Sequence, residues 1–176
     1  QLVSAVSVKS HGTAGSLSLP IDTNAEIAGP LTVEPRLGTT HTLVFTFNGP
    51  VTSLGYTAAP NVTSKDAAGV DVGTVDSVVL DSMTNTVTVT LSGIANTKRT
   101  RVTLNNINQL GVDVPVVIGF LVGDVDSNGK VDATDAAAAK GRAGQVADAV
   151  NLRFDLNASG TINSGDIAAI KARSGN

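Results

Sequence analysis

Oxygen-bearing side chains recur at the same offsets in two short stretches, 31 residues apart, near the C-terminal end of the chain. The first runs from Asp124 to Asp135 and carries Asp124, Asp126, Asn128, Asp132 and Asp135 at positions 1, 3, 5, 9 and 12. The second runs from Asp155 to Asp166 and carries Asp155, Asn157, Ser159, Asn163 and Asp166 at the same positions. Position 6 is Gly in both, Gly129 and Gly160. Calcium takes six to eight hard oxygen ligands at about 2.3–2.6 Å, and a 12-residue loop of this pattern wraps the chain around it. The Gly permits the sharp turn. Position 7 offers a backbone carbonyl, so Lys130 and Thr161 need no acidic side chain there. One such stretch can be a metal-free acidic turn, whereas two in register point to two Ca2+ sites.

Charge separates the loops. The first holds four carboxylates (Asp124, Asp126, Asp132, Asp135) and the second two (Asp155, Asp166), so the first is expected to bind calcium more tightly. Without a cation the four would repel one another and raise each other's pKa values. The metal is expected to be structural. A segment of fifty-odd residues with few large apolar side chains needs a staple, and no Met-rich groove is present for a calcium switch to expose. Removing the metal is expected to unfold 124–176 first.

The elements that hold these loops follow from periodicity. After each loop come good helix formers, Asp135 to Lys140 and Asp166 to Lys171, with Gly141 or Gly144 and Gly175 as stops. Each helix is expected to begin at the twelfth loop position, where an Asp complements the helix dipole. No helix precedes the first loop, because 116–122 reads as a strand. Upstream of residue 121 the strand period dominates. Strands are expected at 2–8, 16–21, 41–47, 78–80, 86–91, 99–104 and 115–122, with 81–85 as a hairpin loop. Seven or eight short strands suggest an antiparallel β-sandwich. The chain therefore reads as mainly β with a small α module: a β-sandwich over 1–120 and a calcium-binding unit over 121–176. No Pro/Thr/Ser-rich linker lies between them, so they are expected to hold a fixed orientation.

Composition narrows the function. A net charge of −3 and a pI near 5.2 argue against nucleic acid or an anionic membrane as partner. No apolar run reaches the ~18–20 residues of a membrane span, and the first residues carry no signal-peptide pattern, so any such signal is expected upstream or already removed. With no Cys, disulfides, thiol catalysis and Cys-based zinc sites are excluded. Few charges (15%) and many Thr, Ser, Val, Ala and Gly suit a secreted β-rich module.

The two repeats resemble the type I dockerin module. The likeness rests on Gly123 to Asp135 with Lys140, on Phe154 to Asp166 with Lys171, and on a Lys five residues after each final Asp. It covers roughly residues 121–176, about a third of the chain. It implies a module that binds two calcium ions and docks a secreted protein, often a plant-polysaccharide hydrolase, onto a cohesin domain of a scaffold or cell surface, as in a cellulosome. It further implies partner contacts at Ala133, Thr134 and Lys140 in one repeat and Ser164, Gly165 and Lys171 in the other. Where the family carries larger aliphatics this chain has Ala136 and Ala139, against Ile167 and Ile170 in the second helix, which implies a thinner apolar face. The recognition pairs differ between repeats, which argues against a two-fold symmetric mode. Upstream, Thr42 to Val51 resembles the strand and turn of bacterial immunoglobulin-like or fibronectin-like modules.

Other chemistry finds little support. His11 and His41 read as surface or hydrogen-bonded residues rather than a base or ligand. Asp66, Asp71, Asp76 and Asp81 read as solvated loop acids rather than a paired-carboxylate site, and no nucleophile or phosphate-loop motif occurs. With no Trp and one Tyr (Tyr56), a sugar-stacking platform is not expected, and Phe45, Phe47 and Phe120 read as core. Asn61 to Thr63 matches a glycosylation sequon by chance. The reading is a non-catalytic attachment module, monomeric when free, that binds a cohesin-type domain. The alternative is a calcium-stabilised spacer whose dockerin-like part packs on its own sandwich. Exposure or burial of the six partner positions discriminates between them.

Overall fold

Alternation of apolar and polar residues builds two sheets whose inner faces meet. The computed structural model describes residues 1–57 and 61–175, and among these it forms nine strands and two α-helices. The strands are β1 (Leu2–Ser10), β2 (Ser16–Ile21), β3 (Val33–Glu34), β4 (Thr40–Phe47), β5 (Val62–Lys65), β6 (Thr74–Asp81), β7 (Thr86–Ser92), β8 (Lys98–Leu104) and β9 (Val114–Phe120). The helices are α1 (Ala133–Lys140) and α2 (Ser164–Lys171). One sheet has the order β2-β1-β4-β7-β6 and the other β3-β9-β8-β5. All pairs are antiparallel except β3 with β9, which is parallel.

Every second residue of β4 and β7 points inward: Leu43 and Phe45, with Val87, Val89 and Leu91, are fully buried. They pack against Val102, Leu104, Val116, Ile118 and Phe120 of the second sheet. The three phenylalanines read as core from sequence all lie there. Two strands escape the periodicity argument. β3 has two residues, too few for a period to register, and β5 covers the sequon residues Val62 and Thr63.

β9 is buried on both faces. Its even residues face the sandwich core, while Val117 and, just beyond, Leu121 face a second core with Ile27, Leu31 and Val33. That explains why 115–122 is a continuous apolar run rather than an alternating one. The second core continues directly into the C-terminal part through Val125, Val131, Ala136, Ala139, Phe154, Leu156, Ile162 and Ile170. Each fully buried aliphatic side chain contributes about 1.5–3 kcal/mol.

Both helices start two residues earlier than expected, at loop position 10. Asp132 and Asn163 at position 9 act as N-caps, accepting from the backbone N–H of Thr134 and Gly165 at 2.7 Å each. Asp135 and Asp166 complete capping boxes by accepting from the N-cap N–H at 2.9 Å each. Each helix is followed by a left-handed glycine that clips onto the opposite repeat. Gly144 N–H donates to the Ile162 carbonyl at 2.8 Å, and Gly175 N–H to the Val131 carbonyl at 2.9 Å. Position 8 of each loop thus receives the tail of the other repeat.

The histidines sit deeper than the sequence suggests. His41 is 5% exposed, with its ring edge-on to Phe120 at 4.5 Å between centroids. Burial, helped by Lys9 and Arg36, pushes its pKa down to about 4 against the pull of Glu34. The folded pKa lies below the unfolded value of about 6.5, so the contribution is fully present above pH ~6.5 and is lost as pH falls through about 4. Urea midpoints of the wild type are expected to fall more steeply between pH 6.5 and 4 than those of His41→Leu, and parallel curves would refute this assignment.

Candidate metal centre

The two loops take the same backbone path, one around each cluster of oxygens. In both, the position-1 carboxylate accepts from the N–H of positions 5 and 6. Asp124 takes Asn128 N–H at 3.1 Å and Gly129 N–H at 2.9 Å; Asp155 takes Ser159 N–H at 3.0 Å and Gly160 N–H at 2.8 Å. The position-3 side chains, Asp126 and Asn157, also accept from the position-5 N–H at 3.0 Å each. Position 4 is left-handed in both, at Ser127 (φ 63°) and Ala158 (φ 53°), and so is the Gly at position 6. Asp124, Asp135, Asp155 and Asp166 have no exposed surface.

Carboxylate oxygens of Asp124, Asp126 and Asp135 all lie within 4.8 Å of one another. Burial first, then Asp126 and Asp135 beside it, push the Asp124 carboxyl up to about 6 although the Gly129 amide pulls the other way. No cationic side chain among the described residues forms an ion pair with these three. A cluster of hard oxygens, buried at Asp124 and Asp135 and open to solvent at Asp126, whose charges repel fits a calcium ion, which would supply the missing positive charge and tie the loop together. Asp132, the fourth carboxylate, serves as the α1 cap, and the Thr134 hydroxyl and N–H hold its pKa below the usual range. In the second loop the Thr161 carbonyl faces inward, accepting from Ser159 Oγ at 3.1 Å and Asn163 Nδ2 at 3.0 Å. The residues that would hold calcium are thus those of positions 1, 3, 5, 7 and 12 in each loop, with position 9 shared with the helix cap.

Comparison with known families supplies the deciding likeness. Residues 122–173 match the type I dockerin domain. Neither the curated proteins nor the solved structures give a match to the chain. Type I dockerins are non-catalytic, calcium-dependent modules that bind cohesins, and the match begins where the second core takes over from the first. No helix of the described residues is long and apolar enough to cross a membrane.

The dockerin-like module presents its six expected partner positions outward: Ala133, Thr134, Lys140, Ser164, Gly165 and Lys171 are all exposed. Between α1 and α2 lies a groove of about 730 Å³, floored by Ala136, Ala137 and Ile167 and rimmed by Lys130, Lys140 and Lys171. Ala133, Ala136 and Ala137 line the α1 side of this groove with small side chains.

Two residues to which the sequence analysis gave no part in the loops sit against them. Arg153 donates from Nη2 to Ser127 Oγ and to the Val33 carbonyl, and its pKa is lowered chiefly by burial. His11, far upstream on the β1–β2 turn, places Nδ1 2.7 Å from Asp155 Oδ2. Spacing within the repeats could not reveal either, since both contacts cross between distant segments. Of the acids read as loop residues, Asp66 and Asp81, the latter at the end of β6, accept turn N–H groups at 2.9 Å, whereas Asp76 lies within β6 and accepts from Ser92 Oγ at 2.9 Å.

The position-6 glycines face different surroundings. A Cβ on Gly129 (φ +85°) meets nothing within 4 Å, whereas one on Gly160 (φ +93°) would stand 2.6 Å from the His11 carbonyl oxygen. Gly129→Ala is expected to cost about 1–2 kcal/mol from the left-handed backbone alone. Gly160→Ala adds an overlap costing a further ~1–3 kcal/mol. Denaturant titration of both variants in excess calcium checks the order.

Proposed function

We propose that residues 121–176 form a two-calcium attachment module, carried on an immunoglobulin-like sandwich over 1–120. The module docks a secreted, polysaccharide-degrading protein onto a cohesin-type partner of a scaffold or cell surface. The observation that carries this reading is the outward disposition of both recognition sets while the opposite side of the module rests on the sandwich. Ala133, Thr134 and Lys140, with Ser164, Gly165 and Lys171, flank the groove between α1 and α2. Three lysines on its rim suit a partner face bearing carboxylates. Calcium acts by fixing the loops, and through the capping boxes at their ends it fixes the N-termini of both helices. The first loop, with more carboxylates, binds the tighter ion.

The second reading, a calcium-stabilised spacer, is favoured by the continuous core that runs from β9 into the module. The two readings draw on opposite sides of the same unit, so packing on the sandwich leaves the docking face free.

Calorimetry against a panel of cohesin domains tests the assignment. Binding is expected in calcium, absent in chelator, and weakened at least tenfold, about 1.4 kcal/mol, by the double charge reversal K140E/K171E. Affinity that survives chelation would sink the calcium mechanism. Calcium uptake with no cohesin bound would favour the spacer.

A further inference from the structure

The β1–β2 turn and the second loop meet backbone to backbone. A Cβ on Gly12 would stand 2.2 Å from the Ser159 carbonyl oxygen, closer still than the 2.6 Å at which a Cβ on Gly160 would meet the His11 carbonyl oxygen from the other side. Beside this contact lies a fully buried polar chain that starts in the sandwich and ends in the loop. Arg36 grips Glu34 with two bonds of 2.7 Å, and its Nη2 donates to the Ser7 carbonyl at 2.9 Å. Its Nη1 lies 3.0 Å from His11 Nε2, and His11 Nδ1 lies 2.7 Å from Asp155 Oδ2. A guanidinium only donates, so His11 Nε2 accepts and the imidazole proton sits on Nδ1, aimed at Asp155. Arg36 therefore sets both the tautomer and the direction of the His11 donor.

We infer that His11 is a positioning residue of the second calcium site, so that the β-sandwich completes a loop lying more than a hundred residues downstream. The inference rests on the calcium reading of the loops. Asp155 Oδ2 is held twice, by Gly160 N–H and by His11, which fixes the plane of the carboxylate. Asp124, its counterpart, receives Asn128 and Gly129 N–H groups and, among the described residues, no side-chain donor from the sandwich. The asymmetry follows the charge count. The second loop has two carboxylates, so it depends more on each one being oriented in advance.

The Gly129 and Gly160 amides donate to the two position-1 carboxylates and so report each loop separately. Calcium chloride is titrated into the full ¹⁵N-labelled chain while both amide signals are followed. His11→Ala is expected to weaken the Gly160 response ~10–100-fold, the usual effect of losing an outer-sphere partner, with the Gly129 response within twofold of wild type. His11→Asn, which puts a donor where Nδ1 stands, is expected to recover most of that loss; His11→Gln, whose donor stands at the Nε2 position, is not. The Asn–Gln comparison decides the matter even where His11→Ala fails to fold. Equal loop-2 affinities across the variants overturn the role of His11 and leave the calcium reading intact. A wild-type chain in which neither amide responds overturns both.

Discussion

One strand divides its side chains between two cores, and the rest of the molecule depends on that division. β9 sends Val116, Ile118 and Phe120 into the sandwich and Val117, with the following Leu121, into the core shared with the dockerin-like module. Between them Gly119 lets the 31–33 segment approach, since a Cβ there would meet Leu31 Cδ1 at 2.8 Å. A one-residue slip of β9 against β8 would exchange the two sets and expose one core. The register of a β-sheet therefore fixes where the calcium loops stand. Asp124 follows four residues after the strand ends, too short a span for the module to swing away.

At the seam between the cores the chain buries charge instead of avoiding it. Burial alone would raise the Glu34 carboxyl, but the Arg36 guanidinium, joined by the Ser7 hydroxyl, outweighs it and holds the pKa below the ordinary range. Leaving either partner alone in that setting costs about 3–5 kcal/mol, so the set stays complete or fails together. Such a network adds little net stability over apolar packing, yet its directed bonds specify one arrangement of turn and loop. Arg142 adds a second brace within the module, its guanidinium 4.0 Å above the Phe154 ring.

Sequence carried far where spacing encodes chemistry. Both loops, their glycines and the trailing lysines are legible because a 12-residue ligand pattern leaves few alternatives, and β4 and β7 are legible because each has a single buried face. The helix starts were misplaced by two residues because Asp132 and Asn163 can serve as ligands or caps, and pattern alone ranks them as ligands. β3 and β5 were missed because two and four residues carry little periodicity. The depth of His11 and His41 was hidden for a different reason. Their burial is set by partners 144 residues away in one case and across the sheet stack in the other, and no local window contains that information. The sandwich-facing side of the module was the least legible part. It had to be inferred from a missing linker, whereas the structure writes it in Val117, Leu121 and Leu156.

The exchanged clips close loops of unequal length. The Gly144–Ile162 bond closes 18 residues and the Gly175–Val131 bond 44. Loop-closure entropy makes the longer one costlier by ~0.8 kcal/mol. The segment joining the repeats therefore closes the cheaper of the two loops. Because each repeat contributes the strap that secures its neighbour, half of the duplication is not half of a folded unit. A chain cut between Lys140 and Gly144 would separate the Val131 carbonyl from its Gly175 donor. The two repeats form an interlocked pair, each closed by a bond from the tail of the other.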